Sequence, residues 1–146
     1  MSCTLNLMAR PSGPKTRCNG EWTEARFTSF VKNILRQASR KWAPTNTIKK
    51  KANRARGVYE CATCKQHVPL SERVGGKRVN NVFVDHIEPI VDPKKGFQGF
   101  DEFVQRLFCE EDNLQVLCGE CHDKKSLIER QQAKERRDKE KLLEGK

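Results

Sequence analysis

Four cysteines, arranged as two Cys-x-x-Cys pairs, have the clearest capacity for chemistry in this sequence. They are Cys61, Cys64, Cys118 and Cys121. Each pair can form a tight turn that points two thiolates at one ion, and two pairs complete the tetrahedral four-sulfur shell that suits zinc. The alternative is that they are reduced core cysteines without a metal. We expect a structural Zn²⁺, which would stabilise a chain whose 36% apolar content predicts a small core.

A histidine follows the last of these cysteines directly and predicts a second site. Successive helix residues point about 100° apart, so Cys121 and His122 at the start of a helix cannot easily serve one ion. Candidate partners are Asp85 and His86, neighbours in VFVDHIEPI, which a regular strand would direct to opposite faces. A carboxylate and an imidazole on one ion leave positions open for water and phosphate oxygens. Two structural roles stay open, a hydrogen-bonded Asp85–His86 pair and a turn capped by His122.

Basic residues are concentrated in the first 57 residues, which hold 13 Lys and Arg against two acidic residues. Residues 58–146 hold 16 against 17, so the net charge of +10 arises in the first segment. This asymmetry predicts a polyanionic partner, most simply nucleic acid, with a membrane surface as the weaker alternative. The side chains expected to contact phosphates, unless they form only a solvated surface, are Arg36, Arg40, Lys49, Lys50, Lys51, Arg54 and Arg56.

The elements before the cysteines follow from periodicity and chain-breaking residues. Residues 1–20 contain Pro and Gly without an apolar period, which predicts a flexible arm. Residues 21–57 predict a basic helix and a linker, the amphipathic helix running from an N-cap at Thr23 up to Pro44. Its aromatic residues are expected to pack against the domain, with base stacking as the alternative.

Residues 58–128 predict the domain that carries the site. Its expected parts are a turn around CATC, a strand in VNNVFVDHI, a short helix at 101–108 and a second strand in LQVLC. A long helix is expected over 119–143, so residues 129–146 would be a polar helical tail. No apolar run reaches the roughly 18 residues of a membrane span, and no signal sequence is evident. A soluble, cytoplasmic protein without membrane association is expected.

The order CxxC, DHIxP, NLQVLC, CxxCHxxK resembles the zinc-stapled form of the HNH endonuclease family. The residues that carry the resemblance are Cys61, Cys64, Asp85, His86, Pro89, Asn113, Cys118, Cys121, His122 and Lys125. It spans about residues 58–128, and the basic aromatic helix before it is similar to the leading segment of small bacteriophage members. The resemblance implies an α+β fold with a ββα-metal core, preceded by the amphipathic helix and followed by the long helix.

The resemblance also implies a role for each site residue. His86 would be the general base that activates water, while Asp85 and His122 would hold a divalent ion against the scissile phosphate. Asn113 would orient His86 or its loop, although in some relatives it reaches the metal. Where some relatives carry a further metal-binding histidine, this chain has Ser126. The remaining ligands favour Mg²⁺ or Mn²⁺ over tightly held zinc.

The resulting expectation is a metal-dependent endonuclease that hydrolyses DNA phosphodiester bonds, by nicking or double-strand cleavage, in a phage or mobile-element context. The rival is a non-catalytic zinc-stapled DNA-binding module, which needs the four cysteines and the basic segment only. A homodimer and a phage packaging component are further candidate partners.

Overall fold

The structure, a computed structural model, describes residues 13–145, and the chain divides into two units, residues 1–38 and 39–146. In the first unit, β1 (Lys15–Arg17) pairs antiparallel with β2 (Trp22–Thr23), and α1 (Glu24–Ser39) follows. Thr23 is the expected N-cap, since its Oγ1 accepts a hydrogen bond from the backbone N–H of Arg26 at 3.2 Å.

The expected flexible arm is only partly open to comparison, because residues 1–12 lie outside the described residues. Within the predicted arm, Lys15–Arg17 form β1, and the flexibility of the arm stays a prediction. Cys18, Asn19 and Gly20 all have positive φ and form the turn that returns the chain to β2. Arg17 Nε lies 2.8 Å from Glu24 Oε1, which ties β1 to the first turn of α1.

The second unit contains three further helices and three small sheets among the described residues. The helices are α2 (Ala43–Ala52), α3 (Phe100–Leu107) and α4 (Gly119–Glu144). The strands are β3 (Asn53–Ala55), β4 (Val58–Glu60), β5 (His67–Pro69), β6 (Ser71–Val74), β7 (Lys77–Asn80), β8 (Val82–His86) and β9 (Leu114–Cys118). They pair antiparallel in the orders β3–β4–β5, β6–β7 and β8–β9. The expected α+β class is confirmed.

The region between Ser39 and Ala43 differs from the prediction of one helix up to Pro44 followed by a linker. The chain starts a second helix, α2, whose first turn contains Pro44, a residue with a φ suited to that position. Trp42 precedes this helix and donates its indole N–H to the backbone oxygen of Cys109 at 2.7 Å. Its ring also meets Phe108 edge to face, with centroids 5.5 Å apart.

The small core lies around the β8–β9 pair. The register is regular from Val82 opposite Cys118 to His86 opposite Leu114. Buried hydrophobic residues come from β9, β8, α3 and the first cysteine pair; they are Cys61, Val82, Phe103, Leu107, Leu114, Val116, Leu117 and Cys118. Strand β9 has the predicted bounds, α3 is shifted by one residue from the predicted helix, and β8 lies within the predicted segment VNNVFVDHI. No helix in the described part of the chain is long and apolar enough to cross a membrane.

The long helix α4 is confirmed, but its second half is not simply a solvated tail. Arg136 Nε donates to the backbone oxygen of Pro93 at 3.1 Å, and its guanidinium lies where a side chain at Gly96 would stand. Arg136 also pairs with Glu140 at 2.8 Å on the same helix. Its side chain is 22% exposed, so this arginine fastens α4 to the loop that follows β8.

Replacing Arg136 with Ala should lower the free energy of unfolding by about 1 to 2 kcal/mol, because a charged hydrogen bond to Pro93 and the packing over Gly96 are lost. Chemical denaturation measures this. Arg137→Ala, at the exposed neighbouring position, is the matched control and should change the value by less than about 0.5 kcal/mol. Equal effects of the two substitutions would contradict the role given to Arg136.

Candidate metal centre and adjoining histidines

The four predicted cysteine ligands converge in the structure. One ligand atom from each of Cys61, Cys64, Cys118 and Cys121 lies within 4.8 Å of every other. Cys64 Sγ and Cys118 Sγ are 3.8 Å apart. A four-sulfur group of this size is compatible with a structural site for a zinc-type metal. Across residues 13–145, no other group of three or more candidate ligands converges in this way.

Backbone hydrogen bonds position the two cysteine pairs. After β4, the chain turns tightly, with the N–H of Lys65 donating to the oxygen of Cys61 at 3.0 Å; Lys65 has a positive φ of 62°. The N–H of Ala62 donates to the oxygen of Val116 at 2.8 Å, which attaches this turn to β9. Cys118 ends β9, and Cys121 lies in the first turn of α4. The cluster therefore joins the turn, the strand and the helix.

The thiols of the cluster differ in acidity. Burial raises the pKa of Cys61, but hydrogen bonds from the backbone of Cys118, Cys64 and Thr63 outweigh it and lower the pKa to about 6. Burial raises the pKa of Cys118. The hydrogen bond with Cys118, followed by burial, raises the pKa of Cys121 to about 12. A metal ion binding to all four sulfurs must therefore displace protons, so its affinity should increase with pH.

His122 lies beside the cluster but faces β8. Its ring stacks on Phe83, with centroids 4.4 Å apart and an interplanar angle of 17°. Its Nδ1 is buried and has no hydrogen-bond partner. Nδ1 lies 3.5 Å from Oδ1 of the exposed Asp123, without the geometry of a hydrogen bond. A buried nitrogen without a partner requires an explanation, and a bound ion is one.

Asp85 lies on the same side of β8 as His122. It follows Phe83 by two residues in a regular strand, so both side chains project from one face. Lys125, one turn after His122 on α4, places its Nζ 2.8 Å from Asp85 Oδ2. The stacking of His122 on Phe83 and the pairing of Lys125 with Asp85 thus place both predicted metal ligands, Asp85 and His122, where α4 meets β8.

Lys125 carries a structural role that the sequence motif alone did not assign. Its Nζ contacts the carboxylates of Asp85 and Glu129 and donates to the backbone oxygen of His86 at 2.8 Å. Burial lowers its pKa, but the hydrogen bonds to the two carboxylates outweigh this and raise it above the usual value. Lys125 is therefore a charged support between β8 and α4. Its spacing of three from His122 was the available sequence signal.

His86 contacts a different element from Asp85. Its Nε2 lies 3.1 Å from the backbone oxygen of Leu107 at the end of α3. A carbonyl only accepts hydrogen bonds, so Nε2 is the donor in this contact, and in the neutral form of the ring Nδ1 has the lone pair. The neutral ring in this tautomer has the form that a general base requires. Asp85 and His86 are therefore held by different elements. Asp85 contacts Lys125 of α4, and His86 contacts Leu107 of α3.

Asn113 holds the loop directly after His86. Its Oδ1 accepts from the N–H of Glu88 at 2.9 Å, and its Nδ2 donates to the oxygen of the same residue at 3.3 Å. The N–H of Ile87 also donates to the backbone oxygen of Asn113 at 2.9 Å. Three contacts thus join the end of β8 to the residue before β9. The structure places Asn113 where it supports the loop.

The seven basic residues expected to bind DNA differ in their exposure and in their contacts within the fold. Lys51 pairs with Glu111, and Arg54 Nε lies 2.9 Å from Glu60 Oε2. The ammonium of Lys49 lies 5.6 Å from the ring centre of Tyr59. The others are exposed: Arg36 on α1, Arg40 between α1 and α2, Lys50 in the last turn of α2 and Arg56 in the turn after β3. Lys51 and Arg54 thus have structural partners as well.

Replacing Cys61 with Ser should abolish zinc binding and lower the thermal stability of the second unit, because a buried ligand of the cluster is lost. Metal binding at structural sites contributes on the order of 10 kcal/mol. Elemental analysis should find about one zinc per intact chain and little in the variant. Cys18→Ser, at an exposed cysteine of the first unit, should keep both zinc and stability. Zinc retention by Cys61→Ser would contradict the assignment.

Comparison with protein-family models, with curated proteins and with solved structures gave no significant match.

Proposed function

We propose that this chain is a metal-dependent endonuclease of HNH type that hydrolyses DNA phosphodiester bonds to 5′-phosphate and 3′-hydroxyl ends. The observation that carries the proposal is the buried Nδ1 of His122, which has no hydrogen-bond partner and belongs to a ring stacked on Phe83, in the strand of Asp85 and His86. The motif order of the chain supports the same function. In this proposal the β8–β9 pair with α4 is a ββα-metal core, and the four cysteines hold structural Zn²⁺.

Asp85 and His122 are the proposed ligands of a second divalent cation, Mg²⁺ or Mn²⁺. They fit such an ion because one is a hard oxygen donor and the other has an unpartnered nitrogen. Oδ2 of Asp85 lies 2.8 Å from Lys125 Nζ and 3.3 Å from Gln115 Nε2, and within residues 13–145 its Oδ1 has no hydrogen bond or ion pair. When bound, the ion would offset the negative charge that develops on the leaving 3′ oxygen.

His86 is the proposed general base. Leu107 holds the ring through Nε2, so Nδ1 is the nitrogen that would take a proton from the attacking water. Asn113 fixes the backbone two residues beyond His86, which limits the movement of the loop after β8. Exposed cations of the first 57 residues, among them Lys50 and Arg56, would bind the DNA backbone.

The second candidate function is a zinc-stapled DNA-binding module without catalysis. The contact between Asp85 and Lys125 favours it, because the carboxylate already has a cationic partner. A module of this kind has no use for a buried His122 Nδ1 without a hydrogen bond or for a His86 ring held through Nε2 by Leu107. The two functions differ in one observable, metal-dependent cutting of DNA.

Nicking of supercoiled plasmid with added Mg²⁺ or Mn²⁺ tests the proposal. His86→Ala should reduce the rate by about 10²- to 10⁴-fold, because the general base is removed. His67→Ala is the matched control, since His67 is exposed on β5 beside Glu60 and should leave the rate unchanged.

The comparison requires that all three proteins retain zinc and bind DNA. If the intact chain and His86→Ala both bind DNA and neither cuts with any divalent ion, the endonuclease is contradicted and the binding module is favoured. Equal cutting by the intact chain and His86→Ala would instead contradict the role of His86.

A further inference from the structure

The hairpin formed by β6 and β7 is a basic element in the otherwise charge-balanced part of the chain. Gly75 and Gly76 connect the strands with φ values of 58° and 78°, as a type I′ turn requires. Residues 72–80 are exposed, and Ser71 is partly buried. The hairpin carries Arg73, Lys77 and Arg78 against a single carboxylate, Glu72. The net charge of residues 58–146, which is close to zero, does not reveal this local excess of cations.

Two of these cations are directly opposed. Arg73 pairs with Arg78 across the strands, an arrangement that like charges destabilise. Arg78 Nε donates to Ser71 Oγ at 2.8 Å, a neutral partner. Within residues 13–145 neither arginine forms an ion pair with a carboxylate, and Glu72 projects from the other face by strand alternation. The exposed face thus concentrates uncompensated positive charge.

Hydrogen bonds fix the base of the hairpin next to the candidate site. The N–H of Leu70 donates to Gly57 at 2.9 Å, and the N–H of Asn81 donates to Leu70 at 3.0 Å. The N–H of Gly119, the first residue of α4, donates to the oxygen of Asn81 at 3.1 Å. His122 follows Gly119 by three residues. The base of the hairpin is therefore hydrogen-bonded to the start of α4, the helix that carries His122.

We propose that the β6–β7 hairpin binds the phosphate backbone of duplex DNA through Arg73 and Arg78. The inference deepens the proposed function by adding a second DNA contact beside the site, and it rests on that function for the identity of the polyanion. A planar guanidinium binds a phosphate through two parallel hydrogen bonds, and phosphates between the two arginines relieve their repulsion. A two-stranded ribbon also has the width that a major groove admits.

The test measures binding of a fluorescent DNA duplex to the zinc-loaded full chain at several salt concentrations without added Mg²⁺ or Mn²⁺. Arg73→Gln/Arg78→Gln should weaken binding by roughly 10- to 100-fold at 0.1 M salt. It should also reduce the slope of log K against log salt by about 2. Arg73→Lys/Arg78→Lys keeps both charges and should keep the slope.

The matched control is Lys134→Gln/Lys139→Gln, which removes two exposed charges from α4. It should change the slope by much less than the hairpin variant, with thermal denaturation showing that every variant is folded. Equal slopes for the two glutamine variants, or no binding by the intact chain, would overturn the inference. Because this assay measures binding and not cleavage, it separates the two proposals. If the hairpin variant changes the slope but the intact chain never nicks plasmid, the hairpin contact is supported and the endonuclease is contradicted.

Discussion

The convergence of four cysteine sulfurs is the constraint on which the second unit depends. Cys61 and Cys64 lie in a turn after β4, whereas Cys118 ends β9 and Cys121 opens α4. These segments are separated by more than fifty residues, and the buried hydrophobic residues that accompany them are few. A metal held by the cluster would replace much of the stabilisation that a larger apolar core supplies. It would also fix the direction in which α4 leaves β9.

That direction determines what His122 can do. Because α4 begins at the cluster, the residue after Cys121 points roughly 100° away from it and meets β8. Phe83 supports its ring, and Lys125 joins the same helix face to Asp85. Cys121 and His122 are therefore neighbours in the sequence with different surroundings. Cys121 belongs to the four-sulfur cluster, whereas His122 lies on the side of β8 that carries the Asp85 carboxylate.

Sequence patterns predicted the parts of this arrangement that depend on local periodicity and ligand spacing. β8, β9, α3, α4 and the cysteine cluster belong to this group. Helix α2 was missed because its lysine-rich run has little apolar period, and its proline lies at the start, where helices accept it.

Contacts between residues that are far apart along the chain could not be predicted from sequence patterns. The hydrogen bond from Trp42 to Cys109 and the fastening of α4 by Arg136 join segments with no local signal. The pairing of Lys51 with Glu111 likewise shows that a cation assigned to DNA by charge alone can have a partner within the fold. Net charge over a long segment also concealed the opposed arginines of the β6–β7 hairpin, since strand register decides which side chains face each other.

Paramagnetic broadening of histidine resonances by Mn²⁺ in the zinc-loaded protein tests the central claim, a second cation site beside the cysteine cluster. The chain has three histidines, so each imidazole can be followed separately. A cation bound by Asp85 and His122 should broaden His122 first, His86 on β8 next and His67 on β5 least. Equal broadening of all three, or none at Mn²⁺ concentrations that leave zinc in place, would contradict it.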